Sequence, residues 1–179
     1  MKGKYAMDDI FIMPSPVGEL TLSSDGQNLT GLWLEGQKYH GATLDRLTQG
    51  HMLPVFELTK KWLDIYFSGK QPDFSVPLAP KGSDFQQAVW NKLCEIPYGS
   101  VVTYGSIAKQ INNSRSGHKT SARAIGGAVG HNPISILIPC HRVIGVNGNL
   151  TGYAGGINRK IQLLELERIP MENLHIPSI

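Results

Sequence analysis

Acidic side chains are missing from a long central part of the sequence. No Asp or Glu occurs between Glu95 and Glu165, although the chain of 179 residues contains 14 of them. Seven basic residues lie in the same stretch: Lys109, Arg115, Lys119, Arg123, Arg142, Arg159 and Lys160. A surface cleared of carboxylates favours a polyanionic partner, of which nucleic acid is the commonest. The alternative is an ordinary, mildly basic domain, which a net charge of +3 does not exclude.

Cysteine is also scarce, since the sequence contains only Cys94 and Cys140. Two cysteines exclude a disulfide-rich scaffold. The first 80 residues contain no Cys and only two His, His40 and His51. The sequence therefore predicts no metal site, and it predicts no other cofactor.

Long apolar segments are absent too. No run approaches the roughly 20 residues of a membrane span, and the charged N-terminus lacks the apolar core of a signal peptide. We therefore expect a cytoplasmic monomer without a membrane partner, in which reducing conditions keep Cys140 a free thiol.

The pattern of turn residues predicts two domains, residues 1–80 and 83–179, joined by a linker at 79–82. The first is predicted to be an α/β scaffold. Short β-rich runs over 10–35 favour a meander, and a helix is predicted from Pro54 to about Ser68. A further short strand is predicted over 73–78, whereas 36–53 indicates no element.

The second domain is predicted to be mainly α. Ser83 and Gln86 form a capping box that opens a helix to about Ile96, within which Cys94 is interpreted as a packing residue. Next come a helix over 104–111, a polar loop over 112–119, and a helix over 122–129.

The last two helices resemble a helix-turn-helix, although many helix pairs are merely packed together. Thr120 or Ser121 caps the second helix. Ala122, Ala124 and Gly126 give it a small-residue surface that fits a groove about 6 Å wide, the width of the minor groove of DNA. Arg123 is the cation on this helix. These features predict double-stranded DNA as the partner, approached from the minor groove.

A short apolar run at 136–138 leads into Pro139, Cys140 and His141. The run predicts a buried strand that stops at the proline and presents the thiol at its end. A thiol held on a rigid element beside an imidazole suits a nucleophile. The alternative is a small buried hydrophobe, because free cysteine is among the most buried residue types.

Two glycine-bearing loops follow, at 145–148 and 152–156, and the second contains Tyr153, which offers a stacking face. A final amphipathic helix is predicted over 158–168. Glu167 lies near its apolar stripe, where ordinary exposure at a helix end is the simplest interpretation.

These residues resemble one family, the O6-alkylguanine-DNA alkyltransferases, which are suicide DNA-repair proteins. The segment Ile136-Leu-Ile-Pro-Cys-His-Arg-Val143 is similar to the family's active-site signature. Six shorter matches stand in the same order as in the family: Phe85-Gln-x-x-Val-Trp90, Ile96-Pro-Tyr-Gly99, Val102-Thr-Tyr104, Ala122-Arg-Ala-Ile-Gly-Gly-Ala128, Asn132-Pro133 and Tyr153-Ala-Gly-Gly156. The resemblance covers about residues 83–168. It implies a ribonuclease-H-like first domain and a winged-helix-like second domain.

The resemblance also implies roles for individual residues. Cys140 is the alkyl acceptor, His141 is its base acting through a water, and Glu167 orients that histidine. The pair should lower the pKa of Cys140. Asn132 is implied to tie the recognition helix to the active-site segment. Tyr104 is implied to move a phosphate aside and to help protonate the departing guanine.

Arg123 is implied to fill the gap left by the flipped nucleotide. The implied lid of the base pocket comprises Tyr153, Ala154, Gly155 and Gly156. The expected DNA-binding set comprises Tyr104, Ser121, Ala122, Arg123, Ala124 and Gly126, with Lys109, Arg115, Lys119 and Lys160 as phosphate neighbours at most.

The implied activity is stoichiometric, irreversible transfer of the alkyl group from O6-alkylguanine to Cys140, and the resemblance leaves open whether O4-alkylthymine is accepted too. Two alternatives are a non-catalytic module that binds alkylguanine DNA and recruits other factors, and a cysteine hydrolase. The sequence departs from the family at Ala154, where many members carry Ser, and in the longer loop at 112–119. It also lacks the N-terminal cysteines with which some relatives bind zinc.

Overall fold

The structure, a computed structural model, describes residues 7–45, 47–114, 117 and 119–178. Its N-terminal part is a four-stranded sheet with strand order β3-β2-β1-β4. The strands are β1 (Asp8–Met13), β2 (Leu20–Ser24), β3 (Leu29–Leu34) and β4 (Leu47–Gln49). The predicted meander is confirmed, because β1, β2 and β3 pair antiparallel in sequence order. The parallel strand β4 lies where the sequence indicated no element.

Helix α1 (Pro54–Phe67) covers one face of this sheet and contacts β2 and β3. It begins at the predicted proline and buries Phe56, Leu63 and Tyr66. The strand predicted over 73–78 is wrong, since only Leu78 bridges, next to Leu29. Pro77 supplies a carbonyl to Leu29 but has no N–H for a ladder.

The C-terminal part is mainly helical. Its helices are α2 (Asp84–Cys94), α3 (Tyr104–Ser114), α4 (Ala122–Gly130) and α5 (Ile157–Leu166), and a two-stranded parallel sheet joins β5 (Val102–Thr103) to β6 (Val143–Ile144). The predicted capping box of Ser83 and Gln86 is confirmed, and of the two candidate caps for α4 it is Ser121 that accepts a hydrogen bond, from the N–H of Ala124. Helix α3 runs three residues beyond its predicted end.

The interpretation of Cys94 as a packing residue is wrong, because its side chain is exposed. The strand predicted over 136–138 is also wrong. That segment is a buried turn in which Ile136 has a φ of 71°. Asn132 causes the difference, because its side chain accepts from the N–H of Ile134 and donates to the carbonyl of Ile138. A strand ladder would need those same main-chain groups.

The two parts meet along the free edge of β3. The N–H of Leu32 donates to the Pro133 carbonyl over 2.8 Å, and the N–H of Ser135 donates to the Leu32 carbonyl over 2.9 Å. Main-chain pairing therefore fixes the segment before Cys140 against the N-terminal sheet. Among the described helices, none is both long and apolar enough to cross a membrane.

Candidate active site

Cys140 begins a single turn of 3-10 helix (Cys140–Arg142) directly after Pro139. Its N–H donates to the Ile138 carbonyl over 2.7 Å, and its side chain is buried, with 4% exposed. The Asn132 amide holds that same carbonyl, over 2.9 Å. Asn132 thus links the end of α4 to the turn that carries the thiol.

His141 and Glu167 form a buried pair. Nε2 of His141 lies 2.6 Å from Oε1 of Glu167, and neither side chain is accessible to solvent. Because an ionised carboxylate only accepts, Nε2 carries the donated proton and Nδ1 keeps its lone pair. Nδ1 is buried and has no hydrogen-bond partner among the described residues. Burial lowers the pKa of His141, so the imidazole is neutral and available as a base.

Glu167 is held by more than the histidine. Nε and Nη2 of Arg142 donate to its two oxygens over 2.8 and 3.0 Å, the Tyr66 hydroxyl donates over 2.8 Å, and the Gly99 N–H donates over 3.1 Å. Burial by itself would raise the pKa of Glu167, but the hydrogen bonds from His141 and Arg142, together with the charge of Arg142, outweigh it and bring the pKa to about 2. The carboxylate is therefore ionised, and simple exposure at the helix end is excluded.

The sequence analysis missed both Arg142 and Tyr66 as site residues. Arg142 is adjacent to His141, and a guanidinium that is almost fully buried requires a carboxylate nearby. Tyr66 was interpreted as part of the apolar stripe of α1. A tyrosine on a buried stripe needs a hydrogen-bond partner for its hydroxyl, and this requirement could have indicated from the sequence that Tyr66 contacts a polar group.

The resting thiol does not have the low pKa that the resemblance implied. Burial raises the pKa of Cys140, while a hydrogen bond with Asn132 and the charge of Lys160 act in the opposite direction without overcoming it. The prediction of a lowered pKa is therefore wrong for the free protein. The thiol is protonated at neutral pH until a base accepts its proton.

Lys160 is an interior residue, which corrects its assignment as a possible phosphate neighbour. Its side chain is fully buried, and its ammonium donates to the carbonyls of Val143 and Thr151. Burial lowers the pKa of Lys160 to about 8, although nearby Cys140 acts to raise it. Arg142 is buried as well, and Arg159 donates to the carbonyls of Val17 and Glu35. The exposed basic surface is therefore smaller than the sequence indicates.

Tyr104 contacts the residues that directly precede the lid segment. The Tyr104 hydroxyl donates to the carbonyls of Thr151 and Gly152 over 3.3 and 3.2 Å. The Tyr153 hydroxyl is buried, and its pKa is raised by burial and by the proximity of Cys140. Ala154 and Gly155 form a turn, and Gly156, at a φ of 91°, precedes α5. Tyr104, Tyr153 and Cys140 thus face one region.

Helix α4 presents the predicted small-residue surface to solvent. Ser121, Ala122, Arg123 and Ala124 are exposed, and Gly126 is half-buried. Lys109 and Lys119 are exposed too, whereas Arg115 lies outside the described residues. Within the described ranges, no three His, Cys, Asp or Glu side chains group closely enough to hold a metal ion.

Two family models match the chain. Residues 11–80 match the ribonuclease-like domain of 6-O-methylguanine DNA methyltransferase, and residues 84–169 match its DNA binding domain. The methylated-DNA–protein-cysteine methyltransferase of Haemophilus influenzae is 46% identical over 158 residues, which is 88% of this chain and 84% of the relative. That of Mycobacterium tuberculosis is 48% identical over 157 residues, or 86% of this chain and 88% of the relative. A crystal structure of Mycobacterium tuberculosis OGT in complex with DNA is similar with a TM-score of 0.75 and 45% identity, covering 92% of this chain and 95% of that one.

Proposed function

The chain belongs to the 6-O-methylguanine DNA methyltransferase family, and from that premise we propose that Cys140 is the residue that accepts the alkyl group. The protein repairs DNA by transferring the alkyl group of O6-alkylguanine to one of its own cysteines. The observation that supports Cys140 is its position beside the buried His141–Glu167 pair, whose free Nδ1 has no other partner among the described residues.

The transfer is a displacement at a saturated carbon. Cys140 loses its proton to Nδ1 of His141 through one water, and the sulfur then forms a bond to the alkyl carbon as the bond from that carbon to O6 breaks. Glu167 and Arg142 hold the imidazole in the tautomer that accepts this proton. The Tyr104 hydroxyl gives a proton to the departing guanine, which then leaves as a neutral base.

The product is a thioether. A thioether has no carbonyl to which water could add, so no residue of the chain regenerates the thiol. One molecule therefore repairs one lesion, and turnover by a cysteine hydrolase mechanism is disfavoured. A non-catalytic binding module is disfavoured because the chain retains the reactive thiol and its base.

DNA reaches this thiol only if the damaged nucleotide leaves the base stack, at a cost of a few kcal/mol. We propose that α4 enters the minor groove of the duplex with the exposed surface of Ser121, Ala122 and Ala124. Arg123 fills the gap in the stack, and Tyr153 to Gly156 cover the flipped base. Because Ala154 has no hydroxyl, main-chain N–H groups of the lid hydrogen-bond the alkylated oxygen.

The same proposal extends to architecture and setting. The domain limits are 1–80 and 83–179, with ribonuclease-H-like topology in the first domain and winged-helix-like topology in the second. The protein acts in the cytoplasm as a monomer that needs no cofactor.

Mass spectrometry after mixing with duplex DNA containing O6-methylguanine tests the proposal. We expect one added methyl group per protein, located on Cys140 by peptide mapping, and no turnover. Cys140→Ser should abolish alkyl transfer while keeping DNA affinity. The matched control, Cys94→Ser, should retain alkyl transfer. An unmodified protein would support the binding module, multiple turnovers would support the hydrolase, and a methyl group on Cys94 would refute the assignment of Cys140.

A further inference from the structure

A groove of about 240 Å³ separates α4 from the loop that follows β3 in the N-terminal sheet domain. We call it the Lys38 groove. It is lined by Lys38, Tyr39, Gly126, Gly127, Gly130, His131, Gly152, Tyr153 and Ala154. Because Tyr153 and Ala154 belong to the proposed lid, the groove borders the proposed base pocket. Its four glycines leave the main chain open to close approach by a ligand.

The N-terminal loop is fixed in place at this groove by two contacts. The N–H of Lys38 donates to the Ala154 carbonyl of the lid over 2.9 Å. The Tyr39 ring stacks on the His131 ring with centroids 3.9 Å apart and planes inclined by 20°. His131 is itself tied to α4, since its Nδ1 lies 2.7 Å from the Gly127 carbonyl.

Tyr39 adopts a φ of 61°, a left-handed conformation that a bulky residue rarely takes. Such strain persists only where surrounding contacts impose it, and it concentrates at binding sites. Here the strained backbone directs the aromatic ring of an N-terminal residue toward the DNA-binding helix.

The charge at the groove has one sign. The Lys38 ammonium lies 5.0 Å from the centroid of the Tyr39 ring, which positions it at the groove, and Lys38 is exposed. No described carboxylate lies within ion-pair distance of this ammonium, and among the described residues that line the groove none is acidic. An unpaired cation beside exposed glycine main chain fits a phosphodiester.

We propose that the Lys38 groove holds the sugar-phosphate backbone of the DNA strand that carries the lesion, with Lys38 neutralising one phosphate. The N-terminal domain then contributes directly to DNA binding. The inference rests on the proposed function, because the occupant is the substrate strand next to the flipped nucleotide. Occupation of the groove would also press the loop onto the lid through the bond from Lys38 to Ala154.

The salt dependence of binding tests this proposal. Each phosphate contact to duplex DNA contributes a slope of about 0.9 in a plot of log affinity against log salt concentration. Lys38→Gln should lower the slope for an O6-methylguanine duplex by about that amount, whereas Lys61→Gln, which removes an exposed lysine of α1, should leave it unchanged. Transfer of the benzyl group of free O6-benzylguanine to Cys140 should proceed at the wild-type rate in both variants, because a free base has no phosphate.

A second arm tests whether Tyr39 positions the lysine. Tyr39→Leu should weaken DNA binding at low salt, and adding Lys38→Gln to it should cost less than Lys38→Gln costs alone, which a double-mutant cycle measures. Suppose that Lys38→Gln still becomes alkylated on Cys140 but binds DNA with the same salt dependence as the wild type. That result would overturn the phosphate site and leave the proposed function standing. Failure of the wild-type protein to become alkylated would instead reject the function itself.

Discussion

The hydroxyl of Tyr66 donates a 2.8 Å hydrogen bond to Oε1 of Glu167, although the two residues are 101 positions apart in the chain. Tyr66 belongs to α1 of the N-terminal part, and Glu167 caps the last long helix of the C-terminal part. The same hydroxyl lies 3.3 Å from Nε2 of His141. The N-terminal part therefore completes the support of the candidate base.

Tyr66→Phe should slow alkyl transfer without unfolding the protein. The change removes one of the donors to a buried carboxylate, and a hydrogen bond to a charged group contributes about 1.5–3 kcal/mol. Because Glu167 holds His141 in the base tautomer, we expect a slowing of roughly tenfold, measured as loss of the free Cys140 thiol. The pH dependence of the transfer rate should change as well.

Tyr98→Phe is the matched control. Its hydroxyl donates to the Leu166 main-chain carbonyl over 3.4 Å and not to the Glu167 carboxylate, so its loss should leave transfer nearly unchanged. An equal slowing in both variants would mean that Tyr66 acts through packing and that its hydroxyl does not position the base.

The free thiol should react slowly with iodoacetamide at neutral pH. Burial raises the pKa of Cys140, so the reactive thiolate forms only as the pH rises above the ordinary thiol range of about 8.5. The reaction rate should therefore increase through pH 9 and beyond, after subtraction of the rate of Cys140→Ser, which reports Cys94. A rate that is already constant below pH 7 would contradict the raised pKa.

Local signals in the sequence predicted local structure well. The capping box at Ser83 and the cap at Ser121 both begin helices, because a side-chain oxygen and a main-chain N–H three residues later interact wherever that spacing occurs. The turn at 136–138 could not be predicted in this way. Its apolar composition suits a strand, and the side chain of Asn132 decides against one.

The candidate site was only partly predictable for a related reason. The sequence signature identified Cys140 and His141, which are adjacent in the chain. The contacts of Tyr66 depend on how two distant helices pack, and no local pattern encodes that packing. The charge count overstated the DNA-facing surface because it could not distinguish an exposed lysine from one, like Lys160, that serves interior carbonyls.

Lys160→Met should make the free energy of unfolding less dependent on pH at alkaline pH. The pKa of Lys160 is about 8 in the folded protein, against about 10.4 in an unfolded chain. Between those pH values the unfolded chain binds more protons, so the free energy of unfolding contributed by this group rises with pH across that window. Below pH 8 the group is protonated in both states and its contribution is constant.

Urea unfolding from pH 7 to 10.5 measures this contribution as the difference between wild type and variant. We expect that difference to change by a few kcal/mol across the window, on the order of the cost of burying one charge. Lys92→Met removes a half-buried surface lysine that pairs with Glu95, so the free energy of unfolding should depend on pH as it does in the wild type. If the free energy of unfolding of Lys160→Met depended on pH as steeply as that of the wild type, burial would not perturb the pKa of the Lys160 ammonium.

Arg123→Ala should separate base flipping from chemistry. Arg123 is exposed on α4, away from the buried thiol, and its proposed task is to hold open a duplex from which one nucleotide has left. Repair of O6-methylguanine in duplex DNA should therefore slow at least tenfold, whereas reaction with free O6-benzylguanine, which needs no flipping, should keep its rate. Lys109→Ala, which removes another exposed cation of the same region, should weaken duplex binding in a salt-dependent way and slow repair much less. If Arg123→Ala slowed both reactions equally, the arginine would support the structure of the active site, and the flipping role would have to be abandoned.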